Sequence, residues 1–159
     1  MSTQSDDDQL TVVNELAELT AAVGTDLGPT DWLVIDQARI DQFAQATNDH
    51  QWIHVDPQRA ADGPYGGTIA HGLLTLSLLP HFMHQLYRVD NVAMAINYGF
   101  NKVRFITPVP VGSRLRALSK LTTVTEVSGG VQATLTTTIE VEGSDKPAAA
   151  VESIVRYVA

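Results

Sequence analysis

The chain has 159 residues, 44% of them hydrophobic, and a net charge of −8, which suits one domain with a sizeable core. The absence of cysteine excludes disulfides, thiolate metal sites and cysteine nucleophiles, and the acidic balance argues against nucleic-acid binding, which depends on neutralising phosphates. The longest apolar run, residues 69–79, is too short for a membrane span and contains His71, Thr75 and Ser77; no basic-then-apolar leader opens the chain, so a cytoplasmic location is expected.

Residues 1–8 are polar and acidic and read as a disordered tail, leaving a single domain over residues 9–159. Leu10, Val13, Leu16, Leu19 and Val23 recur at helical spacing, predicting a helix over residues 10–23 that Gly24 ends. Residues 32–35 read as a short strand. Asp36 is placed to cap a helix with Ile40, Phe43, Ala44 and, at its margin, Thr47 on one face. Residues 57–61 suit a single helical turn, and residues 62–67 have loop chemistry. Residues 69–87 form the second long helix. It is apolar almost all round as far as Leu79, so burial is expected, with Pro80 kinking it or ending its first part.

The rest is β. Residues 93–105 hold strand material, with a bend or bulge at Gly99. Residues 115–127 and 131–141 flank Ser128-Gly129-Gly130, a hairpin signal. In the second of these strands Val131, Ala133, Leu135, Thr137, Ile139 and Val141 take one face and polar residues the other, the pattern of a sheet with one buried face. Residues 149–158 give a final strand. The order is that of an α+β fold, and a buried helix needs the cover that a curved antiparallel sheet provides.

Chemistry concentrates in Asn48-Asp49-His50-Gln51-Trp52-Ile53-His54, which sets a carboxylate and an imidazole five residues apart in irregular chain. The apolar helix that follows opens at His71-Gly72. An acid/base pair manages protons and a helix N-terminus polarises a carbonyl. Adding water to a thioester-conjugated double bond, or removing it, requires both. A base takes a proton from water as it attacks the β-carbon, and an acid delivers one to the α-carbon. Asp49 and His54 on one loop suit a shared water; a turn-capping Asp49 and a surface His54 are the simpler alternative. The Gly72 N–H is a candidate donor to the thioester oxygen, against plain helix packing. His71 reads as a local brace for the helix start, and His50 as an exposed residue.

Ser77, inside the helix expected to be buried, needs a partner, either the carbonyl four residues back or Asp49. His81 and His84 have chelating spacing but no third ligand nearby, so no metal site is expected. Lys102 and Arg104, like Arg114 and Arg116, alternate on strands and concentrate charge among only 10 basic residues. That suits the phosphates of a coenzyme A as well as ordinary solvated strand positions. No Gly-x-Ser-x-Gly elbow, phosphate loop or dinucleotide fingerprint occurs.

Three segments together resemble a known family: Asn48-Asp49-His50-Gln51-Trp52-Ile53-His54-Val55-Asp56-Pro57, then Ile69-Ala70-His71-Gly72-Leu73-Leu74, then Phe105-Ile106-Thr107-Pro108-Val109-Pro110-Val111-Gly112-Ser113. They look like the MaoC-like (R)-specific enoyl-CoA hydratases, most of all the single-hot-dog, NodN-like branch of actinobacteria. The likeness runs in order from about Trp32 to the C-terminus. It implies a hot-dog fold, a long helix wrapped by an antiparallel sheet, and a homodimer whose sheets join edge to edge. It implies syn addition of water to trans-2-enoyl-CoA, giving (R)-3-hydroxyacyl-CoA, with no metal or redox cofactor; coenzyme A is part of the substrate.

Under this resemblance Asp49 matches the family's catalytic carboxylate and His54 its catalytic imidazole. The oxyanion donor falls at the Gly72 N–H, and Ser77 matches a supporting serine. Asp49 then takes the water proton and His54 delivers one, with the two labels exchangeable. The chain departs from the pattern at Asn48, where glycine is common, and at Gln51-Trp52, where Asn-Pro is common. Asparagine tolerates the left-handed turn, and Trp52 is placed to narrow or line the acyl pocket. Rival readings are an acyl-CoA thioesterase, since one fold hosts several reactions, and a non-catalytic acyl-thioester-binding subunit, against which the presence of both Asp49 and His54 argues.

Overall fold

The protein is described here by a computed structural model covering residues 10–159; the acidic tail of residues 1–8 lies outside the described residues. Strands β6 (Arg114–Val127) and β7 (Gly130–Val141) form the expected hairpin. Val127 pairs with Gly130 across Ser128-Gly129, and Gly129 takes a φ of +80°, the left-handed conformation a tight two-residue turn needs. Gly130 has no room for a side chain, because a Cβ there would overlap the Tyr157 carbonyl oxygen of β8 (Ala149–Val158). Along β7 the six residues of the apolar face are buried and those between them are at least partly exposed, as the alternation predicts.

The main sheet has the order β2 (Asp26–Leu27), β6, β7, β8, β5 (Met94–Phe105), with β3 (Leu33–Val34) also pairing on β6. All its pairings are antiparallel. β5 slips register between Asn97 and Gly99 and again between Phe100 and Lys102, so the bulge expected at Gly99 is present. The sheet's buried face packs on α5 (Gly72–Ser77) and α6 (Leu79–Leu86). Leu74, Leu78, Leu79 and Phe82 share one core with Leu115, Ala117, Ile139 and Val151, and Ile40 of α2 (Gln37–Thr47) joins it. This is the α+β, hot-dog arrangement.

The central helix differs from expectation in two ways. It is shorter: Ile69 bridges to Pro110, α5 starts only at Gly72, and Tyr87 opens β4 (Tyr87–Val89); the break at Leu78, between α5 and α6, is the one expected at Pro80. Pro80 accounts for the break. It has no N–H to give the Leu76 carbonyl and its ring crowds that group, so the chain restarts with proline in the first turn of α6. Nor is the first part buried all round, because Leu73 is 57% exposed and Ser77 is exposed.

The N-terminal helix is also corrected. Thr11–Val13 form β1, paired in parallel with β4, before a short α1 (Leu16–Leu19) and a 3-10 turn at Thr20–Ala22. The β-branched run Thr11-Val12-Val13 prefers strand, and the Asn14 N–H donates to the Glu18 carboxylate to start the helix. Val13 and Leu19 still enter one core, with Leu121, Val131, Ala133, Leu135 and Tyr157. Of the five positions picked out by helical spacing, Val13 and Leu19 are buried, one in a strand and one in a helix, while Val23 is exposed. Among the described residues no helix is long and apolar enough to cross a membrane.

Candidate active site

α2 is framed by its ends. The Asp36 carboxylate accepts from the Arg39 N–H at 2.9 Å, the expected cap. Asn48 ends the helix in the left-handed conformation, φ 58° and ψ 28°, which asparagine tolerates better than most residues. The turn carries Asp49 outward, with its N–H donating to the Ala44 carbonyl at 3.2 Å. Its carboxylate is exposed, and the Gln51 N–H approaches it only to 3.5 Å.

His54 sits on α3 (Trp52–Val55), which follows at once. It is buried, 7% exposed, and its Nδ1 lies 2.7 Å from the Ile69 carbonyl. A carbonyl only accepts, so Nδ1 carries the proton and Nε2 keeps its lone pair. Gln37 of α2 donates to the His54 carbonyl at 2.7 Å and accepts from the Thr68 hydroxyl at 2.6 Å. α3 is thereby tied to both neighbouring segments. Burial pushes the His54 ionisation below its ordinary 6.5; the Ile69 carbonyl opposes this, nearby His71 adds to it, and Asp49 opposes it.

His71 joins the pair. It is buried, its Nε2 lies 3.0 Å from the Asp49 carbonyl, and its ring stacks on His54 with centroids 3.8 Å apart at 22°. Asp49, His54 and His71 each bring one oxygen or nitrogen within 4.8 Å of the others. A water donating two hydrogen bonds of about 2.8 Å spans roughly 4.5 Å between its acceptors, so a cluster this tight is on the scale that one water can bridge. The same trio is a poor metal cradle. A ligating imidazole points its lone pair at the metal in the plane of its ring, and two stacked rings hold theirs in near-parallel planes that do not converge. His81 meets Gln85 at 3.2 Å and His84 borders a separate cavity.

A cavity of ≈ 320 Å³ opens beside His54, lined also by Gly72, Thr75, Phe105 and Thr107. Gly72 is the first residue of α5, so its N–H has no acceptor within the helix. A Cβ at this position would stand 2.9 Å from the Phe105 ring, so the missing side chain is what lets that wall close up.

Other expected site residues lie elsewhere. The Ser77 hydroxyl donates to the Leu73 carbonyl at 2.7 Å, the local bond, and not to Asp49. Ser77 borders a larger cavity of ≈ 620 Å³ bounded by α6, β5 and β8, which contains neither Asp49 nor His54. Trp52 lies against the Arg59 guanidinium, 4.3 Å from its ring centroid, and against Gly63, lining neither cavity. Side-chain direction, which sequence spacing leaves open, decides both positions. Arg116 pairs with Glu140 at 2.6 Å, Arg114 pairs with Glu142, and both lie over the Trp32 ring, so neither is spare for a phosphate. Lys102 and Arg104 are exposed on β5, and among the described residues neither forms an ion pair. The residue that sequence reasoning undervalued is His71. Its position inside Ala-His-Gly, within the second motif, was the available signal.

The MaoC like domain matches residues 18–144. The chain is 61% identical over 145 residues to 3-hydroxyacyl-thioester dehydratase Z of Mycobacterium tuberculosis, covering 91% of this chain and 96% of that one. It is 43% identical over 137 residues to Nodulation protein N of Rhizobium leguminosarum bv. viciae, covering 84% of each. Among solved structures, the (R)-hydratase from A. caviae involved in PHA biosynthesis superposes with a TM-score of 0.68 at 28% identity, over 84% of this chain and 94% of that one. With the domain match spanning most of the sequence and close relatives aligned nearly end to end, the chain belongs to the MaoC-like family.

Proposed function

We propose that the protein is a hydro-lyase of acyl thioesters, an (R)-specific enoyl-CoA hydratase that adds water reversibly to trans-2-enoyl-CoA. The observation that carries this reading is the convergence of Asp49 and His54 to within 4.8 Å, with the imidazole on the wall of a cavity that Gly72 also lines. The names of the dehydratase and (R)-hydratase relatives support it.

In the proposed step the water oxygen attacks the β-carbon and the π electrons move to the thioester oxygen, where the Gly72 N–H stabilises the enolate. His54 Nε2, unprotonated at rest, takes one water proton and returns it to the α-carbon on the same face. The other hydrogen stays on the new hydroxyl, held by Asp49. The tautomer thus favours His54 as the proton carrier and Asp49 as the group that orients the water and steadies the transient imidazolium. No metal or redox cofactor takes part. Lys102 and Arg104, at the end of β5 that reaches Phe105, are the cations proposed for the coenzyme A phosphates. The active form is proposed to be a homodimer built on the open edge of β5.

The test is loss of enoyl-thioester absorbance with crotonyl-CoA, for the wild type, His54→Ala and Asp49→Asn. Turnover to an (R)-3-hydroxy product is expected, reduced roughly 100- to 10,000-fold in each variant. Free coenzyme A from a saturated acyl-CoA, without hydration, would instead make the protein a thioesterase. Acyl-CoA binding without turnover would make it a binding subunit.

A further inference from the structure

His71 precedes α5 at its cap position, yet its side chain makes no capping bond. It is only 3% exposed, and its polar contact runs instead to the Asp49 carbonyl, 22 residues away in sequence. Since that carbonyl accepts, Nε2 carries the ring proton. Nδ1 is then left as a buried lone pair with no partner among the described residues. One face of the ring covers His54, and Phe43 flanks it at 4.9 Å. Packing alone does not explain this choice. A phenylalanine would fill the same space without an orphaned nitrogen, and buried polar atoms without partners are rare. What phenylalanine lacks is the N–H that reaches Asp49.

That N–H matters because little else holds the Asp49 segment. Its carboxylate is exposed and makes only a long contact, and its N–H is tied to the end of α2. The His71 bond fixes the peptide on the other side of the Asp49 Cα, and with it the direction in which the carboxylate leaves the chain. The same ring fixes the plane of His54, whose Nδ1–H is already anchored on Ile69. One imidazole thus touches both members of the pair, through the backbone of one and the ring face of the other.

We propose that His71 is a positioning residue for hydration, a neutral Nε2–H imidazole that holds Asp49 and His54 in register on one water. This rests on the hydratase reading above. Among the described residues, Asp49 and His71 are the titratable groups near His54. Gln37 of α2, residues 105–109 and Ala148 bring no ionisable group to it.

The experiment compares wild type, His71→Phe and His71→Gln. Circular dichroism and thermal unfolding establish folding. The pH profile of crotonyl-CoA hydration is measured, and side-chain nitrogen–proton NMR is recorded across the same pH range. His71→Phe is expected to lose roughly 100-fold in kcat, the scale of a misplaced catalytic group, with KM little changed. His71→Gln, which keeps an N–H of similar reach, is expected to recover part of the kcat loss. NMR of the wild type is expected to show His71 as the Nε2–H tautomer and His54 as the Nδ1–H tautomer. A folded His71→Phe with wild-type kcat overturns the proposal, as does an Nδ1–H tautomer at His71. If the wild type fails to hydrate, the hydratase reading falls, and the NMR tautomers in the wild type and variants still decide whether His71 sets the arrangement.

Discussion

At the scale of single residues the site depends on a missing atom as much as on those present. Phe105 lines the His54 cavity, and its ring stands where a Cβ on residue 72 would need space, 2.9 Å from that point. The nearest atoms are at the root and side of the ring, not at the tip of a flexible chain, so Gly72→Ala must move Phe105 as a whole. Phe105 is half exposed and has somewhere to go, so the expected cost falls on the cavity and on the aim of the residue 72 N–H, not on folding. We expect Gly72→Ala to lower kcat by roughly 100-fold, the loss seen when one oxyanion donor is removed, while thermal unfolding stays close to wild type. Wild-type kcat in this variant would remove Gly72 from the mechanism. The Asp49–His54 spacing and the His71-Gly72 helix start could be read from the chain because both lie in short local segments. The dependence of Gly72 on Phe105 could not, since it joins residues 33 apart in sequence.

At the scale of elements, legibility followed how local the controlling interaction was. The β6–β7 hairpin and the buried face of β7 were predictable because a two-residue turn and period-2 alternation are set by neighbours along the chain. β1 was misread because its strand partner, β4, comes 76 residues later, Thr11 pairing with Tyr87. The exposed flank of α5 was misread because composition reports apolarity and not which side the sheet covers. One pairing of distant elements has a measurable consequence. Tyr87 of β4 and Tyr157 of β8 share a hydroxyl–hydroxyl hydrogen bond. Burial pushes the Tyr87 hydroxyl above its ordinary 10.0, with the bond to Tyr157 opposing. Burial, and then the neighbouring Tyr87, push Tyr157 higher still. The folded protein therefore holds these protons more tightly than the unfolded chain. Their contribution to stability is intact below the unfolded value near pH 10 and is lost as pH rises through and beyond it. Urea midpoints are expected to hold steady to about pH 9 and to fall by about pH 11. Tyr157→Phe leaves the Tyr87 hydroxyl without its partner and should cost about 1–3 kcal/mol at neutral pH, with a shallower alkaline fall. A midpoint indifferent to this range of pH would mean that the pair is solvated.

At the scale of the whole molecule, the surface is out of balance in one place. β5 is exposed at ten of its twelve positions, and on both faces. Met94, Ile96, Tyr98, Phe100 and Phe105 are each 43–54% exposed. Among the described residues β5 pairs only with β8 in the main sheet, so among them its other edge offers a row of unpaired N–H and C=O groups beside apolar side chains. Such an edge is a template for another strand, and an apolar strip of this length marks an association surface. A second copy of the chain is the proposed occupant, since the resemblance that anticipated this fold implies a dimer joined edge to edge. Like charges oppose that pairing. With a net charge of −8 on each chain, two copies repel, and added salt shortens the range of the repulsion to about 10 Å or less. The dimer is therefore expected to tighten with ionic strength, the reverse of an interface held by ion pairs. Ile96→Lys sets a charge on the open edge, the device by which natural edge strands resist pairing. Sedimentation equilibrium should then find a folded monomer where the wild type is a dimer. Residues 105–109 run on from this strand into the His54 cavity, so the monomer should also lose most of its hydratase activity. A monomeric wild type with full turnover would detach the chemistry from the edge. A dimeric Ile96→Lys would place the interface on another face.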